Sequence, residues 1–255
     1  MMNPDGVRRM LIDNYGGVRV DGTNATIIGT KPGEFIADRN HITRVWMDHG
    51  VWPCITTKLY LDETGDYDLL WKEAPYFLDK QVMRGEATDE EWETKAAKTH
   101  TGTVMEHLLL QNLTAFYDVG EHNIIRLRGA DWNDALDMAK EKGESVAFTN
   151  AYAQNLEDLA GLLRLAKQQG INSIVVAERM MPLFTMGTDL YESVERKHEL
   201  LQCFLETCVA ETAGETKQAA LDIEECIASL QEKADWMRGP VSYTHLRAHE
   251  TSAHL

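Results

Sequence analysis

No run of this 255-residue chain approaches the roughly 18 consecutive apolar residues that a membrane-spanning helix needs. Basic residues are scarce. Twenty-five Lys and Arg against 41 Asp and Glu leave a formal net charge of −16, which excludes a general affinity for nucleic acid or for anionic membranes, since both demand a basic surface. Cysteine is equally sparse. The four present (Cys54, Cys203, Cys208, Cys226) have neither CxxC spacing nor the density of a disulfide scaffold, so a reducing, cytoplasmic compartment is expected. The first residues lack the basic-then-apolar order of a secretory leader, and no glycine-rich nucleotide loop occurs. What is there suffices for a core: 44% of residues are hydrophobic and 26% charged, outside the range of global disorder. The length suits one domain or part of a larger one.

The periodicity is mostly helical. Tyr152, Leu156, Leu159, Leu163 and Ala166 recur at three- and four-residue steps, as do Met105, Leu109, Leu113 and Phe116 ahead of Gly120. Residues 52–64 read as a helix with Pro53 tolerated in its first turn and Gly65 past its end. Leu190 or Tyr191, Val194, His198, Leu201, Leu205 and Cys208 form a further stripe, and Ala220, Ile223, Ile227, Leu230 and Ala234 another after Gly214. This last pair is expected to lie antiparallel about a short Ala-Gly break. On that reading His198 is a packed core histidine, and Cys203 and Cys208 are core thiols. Strand signals are few, at 17–20, 25–28 and 123–127. The expected fold is all-α dominated, a helical barrel or array with long loops and a few short strands.

The chain divides into 1–238, expected to be the folded unit, and 239–255, expected to be a non-native tail. Its last fifteen residues, VSYTHLRAHETSAHL, hold three of the nine histidines and no helical or strand period. They resemble a translated sequencing adapter and are expected to pack against nothing.

Two loops are rich in chemistry. Residues 29–52 gather Asp, Arg, His and Trp between turn residues, and 129–137 (GADWNDALD) set Trp132 among Asp131, Asp134 and Asp137, just after Arg126 and Arg128. Locally, Asp131 can cap a helix with Asp134 three residues on in the capping-box position. Chemically, a tryptophan beside carboxyls suits a sugar, because the ring stacks on an apolar sugar face while the acids bind hydroxyls or move protons. Both readings are compatible. Arg126 and Arg128 alternate on an expected strand, where they either guide phosphate or form surface ion pairs. Arg39, Asn40, His41 and Arg44 could face a sugar or phosphate, or be ordinary loop residues. No metal site is expected: the pairs His41 with His49 and His100 with His107 lack HxxxH or HExxH spacing, and the one HxxxH, His245 with His249, lies in the tail.

The string Arg128-Gly129-Ala130-Asp131-Trp132-Asn133-Asp134 resembles the DWND motif of the family-94 glycoside phosphorylases, which include cellobiose, chitobiose and β-1,2-oligoglucan phosphorylases. Residues 59–66 (LYLDETGD) are similar to that family's YLKETGD segment. Residues 47–52 (MDHGVW) fall where the family has D-D-x-L-W, with Asp48 matching the first aspartate and His49 replacing the second. The resemblance covers about residues 3–237. It implies an internal fragment of an (α/α)6 barrel catalytic domain that cleaves a β-glucoside with inorganic phosphate and inverts the anomeric carbon. No cofactor is implied; phosphate is a co-substrate. The resemblance places the general acid on Asp134 and the sugar-lining tryptophan on Trp132, with Asp131, Asp48 and Arg128 as further substrate-binding residues. A free Asp titrates near ~3.9, so burial or neighbouring acids must raise Asp134 for it to act.

The family's remaining sugar- and phosphate-binding residues would fall outside the stretch, so the isolated chain is expected to be inactive; the full-length parent is expected to be a homodimer. The substrate is expected to be a β-linked disaccharide or oligosaccharide, with the departure at His49 and the charged stretch 84–101 leaning away from cellobiose phosphorylase. Two other classes stay open: an inverting hydrolase on a similar barrel, with Asp48 or another carboxylate as base, and a non-catalytic carbohydrate-binding or scaffold domain.

Overall fold

A computed structural model describes residues 3–37, 45–78, 84, 100–129, 133, 136, 138–139, 141–211 and 216–252, with backbone alone at 211 and 240–252. Helices dominate: α1 (Pro4–Tyr15), α2 (Val51–Thr64), α3 (Val104–Tyr117), α4 (Val146–Gln168), the short α5 (Thr188–Glu192), α6 (Val194–Glu211) and α7 (Ile223–Ser252). Among the described residues the strands form three two-stranded antiparallel ribbons: β1 (Ile27–Ile28) with β2 (Phe35–Ile36), β3 (Glu73–Pro75) with β4 (Thr101–Thr103), and β5 (Ser173–Ala177) with β6 (Gln218–Asp222).

The centre is α3. Every residue from Val104 to Tyr117 is buried, five polar side chains included. Helices α1, α2, α4 and α6 and the 3-10 turns Met47–Gly50, Tyr67–Trp71 and Glu178–Phe184 pack around it. Thr103 caps it, accepting from the Glu106 N–H (3.1 Å). Several of its polar side chains are answered from outside the helix. Tyr76 donates to Glu106 (2.7 Å), His107 donates to the Thr103 carbonyl (2.8 Å), and Asn155 on α4 donates to Asn112 (3.0 Å). Burial pushes His107 down to about 4, so the ring is neutral in the core.

The 59–66 segment turns out to be a helix stop. Gly65 adopts φ 68 at the end of α2 and donates to Leu61 O (2.8 Å). Asp66 then accepts from Tyr60 Oη (2.8 Å) and from Arg8 on α1 (2.7 Å), so this stretch ties α1 to α2.

Several expectations need correction. Helix α6 does not pair with the next helix across a simple break, because residues 218–222 form a strand and Ala220 lies in it. The antiparallel partner of α7 is α4, joined by Arg164 to Gln231 (2.8 Å) and by the ion pairs Lys167–Glu224 and Arg238–Glu157. The apolar face of α6 carries Leu201, Leu205 and Cys208 as expected but departs from expectation at its first turn. Lys197 is buried at 0% exposure, whereas His198 and Cys203 are exposed. A stripe through 197, 201, 204, 205 and 208 has the right period, but a lysine masks its first member. The backbone of α7 runs on to Ser252.

Leu109, in the middle of α3, is 0% exposed, while Leu59 on α2 is 59% exposed. Leu109→Ala is expected to lower unfolding stability by about 2–5 kcal/mol in urea titrations, and Leu59→Ala by less than about 0.5 kcal/mol. Equal losses would contradict the assignment of α3 as the core.

Candidate functional site

The chain enters the 129–137 loop from an extended segment held on both edges. Gly120 donates to Ile124 O (2.9 Å) and Arg126 to Asp118 O (3.0 Å), making a hairpin whose turn needs Asn123 at φ 61. On the other edge Leu127 donates to Gly143 O (2.7 Å) and Ser145 to Ile125 O (2.8 Å). Glu144 stitches the two together, accepting from His122 N (3.0 Å) and Ile124 N (3.2 Å). At its end Gly129 donates to Val45 O (2.8 Å), and Trp46 bridges to both Arg128 and Gly129. The two loops singled out in the sequence therefore meet at Trp46.

Beneath this junction lies a buried ionic cluster. Asp118, which ends α3, accepts from Arg128 Nε (3.0 Å) and Nη2 (2.7 Å) and from Arg84 Nε (3.0 Å). Arg84 is anchored in turn by its backbone N–H to Asp21 Oδ2 (2.8 Å). Arg128 thus pairs with an acid, but a partly buried one: its side chain is 20% exposed and that of Asp118 is 2%. Arg128 also holds φ 58, a left-handed conformation unusual for a side-chain-bearing residue. Arg126 reaches Glu141 O (3.2 Å) at the surface.

Asp48 sits in the 3-10 turn Met47–Gly50, just before α2. Tyr152 of α4 fixes that turn by donating to Met47 O (2.5 Å). One carboxylate oxygen of Asp48 accepts from Trp52 Nε1 (3.0 Å). The other, Oδ1, is buried with no hydrogen-bond partner among the described residues, and so is the indole N–H of Trp46. A buried acceptor and a buried donor, two residues apart and both unsatisfied, are costly unless a ligand or water completes them. The ring of His49 lies 4.8 Å from that of Trp46. A cavity of about 300 Å³ opens between α1 and α2, lined by Asn14, Tyr15, Asn24, Phe35, His49 and Trp52 among others.

Of the sequence-derived residues, Asp48 and Arg128 are thus brought to one junction. Asp131, Trp132 and Asp134 lie outside the described residues, as do Asp137, Arg39, Asn40, His41, Arg44 and residues 85–99 of the charged stretch 84–101. Within the DWND string Asn133 is described. Its Oδ1 accepts from the Leu136 N–H (3.3 Å), which is capping geometry at the residue next to Asp134. Sequence reasoning missed Asp118, Arg84, Trp46 and Tyr152. Among the described residues no three His, Cys, Asp or Glu side chains gather to hold a metal ion. No helix of these residues is long and apolar enough to cross a membrane.

Comparison with known proteins matches residues 28–197, two thirds of the chain, to the glycosyl hydrolase 94 superfamily, catalytic domain. A curated relative, solabiose phosphorylase of Paenibacillus borealis, is 34% identical over 122 residues, which are 47% of this chain and 13% of that protein. The aligned stretch therefore spans about an eighth of the relative's length.

Acid should test the Asp118 cluster. Burial alone would raise this carboxyl, but the Arg84 and Arg128 guanidiniums outweigh it and hold it well below the usual carboxylate range. Unfolded, the group titrates near ~3.9. Its stabilising contribution is therefore complete above that pH and is lost as pH falls toward the folded value. Asp118→Asn, which leaves buried Arg84 and half-buried Arg128 without their carboxylate, is expected to cost about 3–5 kcal/mol at pH 7. It should also flatten the acid limb below pH ~4. Urea midpoints at pH 7 and pH 3 measure both effects, and an unchanged pH 7 midpoint would refute the cluster's role.

Proposed function

The chain belongs to the glycosyl hydrolase 94 superfamily, and from that premise we propose that it forms part of the (α/α)6 catalytic barrel of an inverting glycoside phosphorylase. The reaction proposed is a β-linked disaccharide or oligosaccharide plus phosphate giving an α-sugar 1-phosphate and a shortened acceptor. Phosphate attacks the anomeric carbon from the face opposite the departing oxygen, and Asp134 donates its proton to that oxygen. Because phosphate arrives as an anion, no second carboxylate is needed to activate it, unlike the base that an inverting hydrolase uses for water. Trp132 stacks on the sugar, Asp131 orients the loop, Asp48 accepts a sugar hydroxyl, and Arg128 holds the loop through Asp118 while its exposed edge faces the substrate.

The observation that carries this reading is the Asp48–Trp46 junction. A carboxylate oxygen and an indole N–H are both buried and unpartnered, and they sit where residues 128 and 129 pair with residue 46, two residues ahead of the DWND string in sequence. An acceptor, a donor and an aromatic ring are what a pyranose with hydroxyls on its rim and an apolar face requires. The family and the relative's name, solabiose phosphorylase, support phosphate as the co-substrate.

In an active enzyme that carries this stretch, Asp134→Asn is expected to cut turnover by about 10² to 10⁴, the usual weight of general acid catalysis. The loss should shrink for a glycosyl fluoride run with an acceptor in the synthetic direction, because fluoride leaves without needing a full proton. Full turnover by Asp134→Asn would remove the mechanism.

A different signature is expected at Asp48. Asp48→Asn should lower kcat/KM by about 10- to 100-fold, the value of a hydrogen bond to a charged group, chiefly through KM. Steady-state kinetics at varied disaccharide would decide it; an unaltered KM would exclude a role in binding sugar.

A further inference from the structure

Two lysines are enclosed where the sequence places an apolar stripe. Lys197 on α6 and Lys233 on α7 are each 0% exposed. Among the described residues neither amine has a carboxylate at ion-pair distance. They lie instead in a box of rings. The Lys197 amine is 3.8 Å from the Trp236 centroid and 4.1 Å from that of Phe116. The Lys233 amine is 5.3 Å from Tyr191 and 5.6 Å from Phe116. Their hydrogen bonds go to neutral acceptors. Lys233 donates to Ser229 Oγ (2.7 Å) and Thr185 O (2.8 Å), and Lys197 donates to Asn123 Oδ1 (2.9 Å).

That last bond reaches the hairpin ahead of the site. Asn123 is the left-handed residue of the 119–125 turn, and its amide also donates to the Tyr191 (2.8 Å) and Glu192 (3.2 Å) carbonyls. Next to Lys197, His198 donates to Val119 O (2.7 Å). The turn is therefore gripped from α5 by the Tyr191 and Glu192 carbonyls and from α6 by the Lys197 and His198 side chains. Beyond the turn the same strand delivers Arg128 and Gly129 to Trp46.

We propose that the Lys197–Lys233 box is a proton-operated latch: with both amines neutral it holds the 119–125 hairpin, and hence the strand entering the candidate site, and proton uptake loosens it. The latch does not depend on the reaction proposed above.

Burial pushes Lys197 down to about 6, with the nearby Lys233 charge adding to it. Burial pushes Lys233 down to about 7, opposed in part by Glu232 and Cys226. The other titratable groups at the box are Tyr117 on α3, Tyr191 on α5, and Glu232 and Cys226 on α7, while His198, next to Lys197 on α6, turns outward to Val119 O. Burial raises both phenols and lifts the Cys226 thiol to about 12, so these stay neutral. An unfolded lysine titrates near ~10.4. As pH falls from there the unfolded chain takes up protons that the folded chain refuses, and stability drops until the folded amines protonate near the values above.

The test is urea unfolding of the whole chain at pH 7, 8 and 9 beside Lys197→Met. Each depressed lysine should raise the unfolding equilibrium constant by up to about tenfold per pH unit lost, so the variant's dependence should be shallower by up to about tenfold per unit. Parallel dependences would overturn the proposal. Should Lys197→Met fail to fold, the unaltered chain still reports. Its tryptophan emission minus that of Trp236→Phe should show a step between pH 5 and 8, and no step overturns the proposal. Across that step the amides of Leu127 and Gly129 should lose hydrogen-exchange protection relative to amides within α4. A step without that loss overturns the link to the strand.

Discussion

A helix with no face toward water must satisfy every polar group it carries from within the protein. Helix α3 carries Glu106, His107, Gln111, Asn112 and Thr114, all buried, so its surroundings are chosen as much by hydrogen bonding as by volume. Asn112 fixes the position of α4 through Asn155, and Asn155 in turn reaches Val51 O (3.3 Å) at the start of α2. Gln111 reaches Asn24 (2.6 Å) and the His49 carbonyl (3.4 Å). Tyr76 and His107 stack with ring centroids 4.0 Å apart, closing the other end. The core is thus a hub whose polar spokes set the placement of the surrounding loops.

The candidate site hangs from the two ends of those spokes. One runs from Gln111 to the turn that holds Asp48. The other is the C-terminus of α3 itself, where Asp118 captures Arg84 and Arg128 and thereby fixes the strand that leads into the DWND stretch. Rigid support of this kind is what a site on loops requires, since a displacement of an ångström in a reacting group costs orders of magnitude in rate. The lysine box adds a third hold on the same strand, from the side of α5 and α6.

The helices were legible where apolar residues recur at three and four steps between glycines. Helix α4 appears where Tyr152, Leu156, Leu159 and Leu163 predict it, and α2 stops at Gly65 as its left-handed cap demands. The chain from Leu190 to Ala234 was harder. Ala219 and Ala220 read equally well as helix or strand, and long-range pairing with Val175 and Val176 decides for strand. Lys197 hides the first member of the α6 stripe, because no local rule predicts a buried lysine. At the site, Asp48 and Arg128 could be singled out by their neighbours in sequence. Asp118, Arg84 and Tyr152 could not, since their roles come from contacts 10 to 105 residues away along the chain.

The central claim is that this constellation transfers a sugar to phosphate with inversion. ³¹P NMR tests it most directly, using an active enzyme that carries this stretch, incubated with inorganic phosphate and a series of β-linked glucodisaccharides. The account predicts a new resonance of an α-sugar 1-phosphate, formed in step with the released acceptor, and no sugar release when phosphate is left out. Free sugar formed without phosphate, or a β-sugar 1-phosphate in its presence, would contradict it.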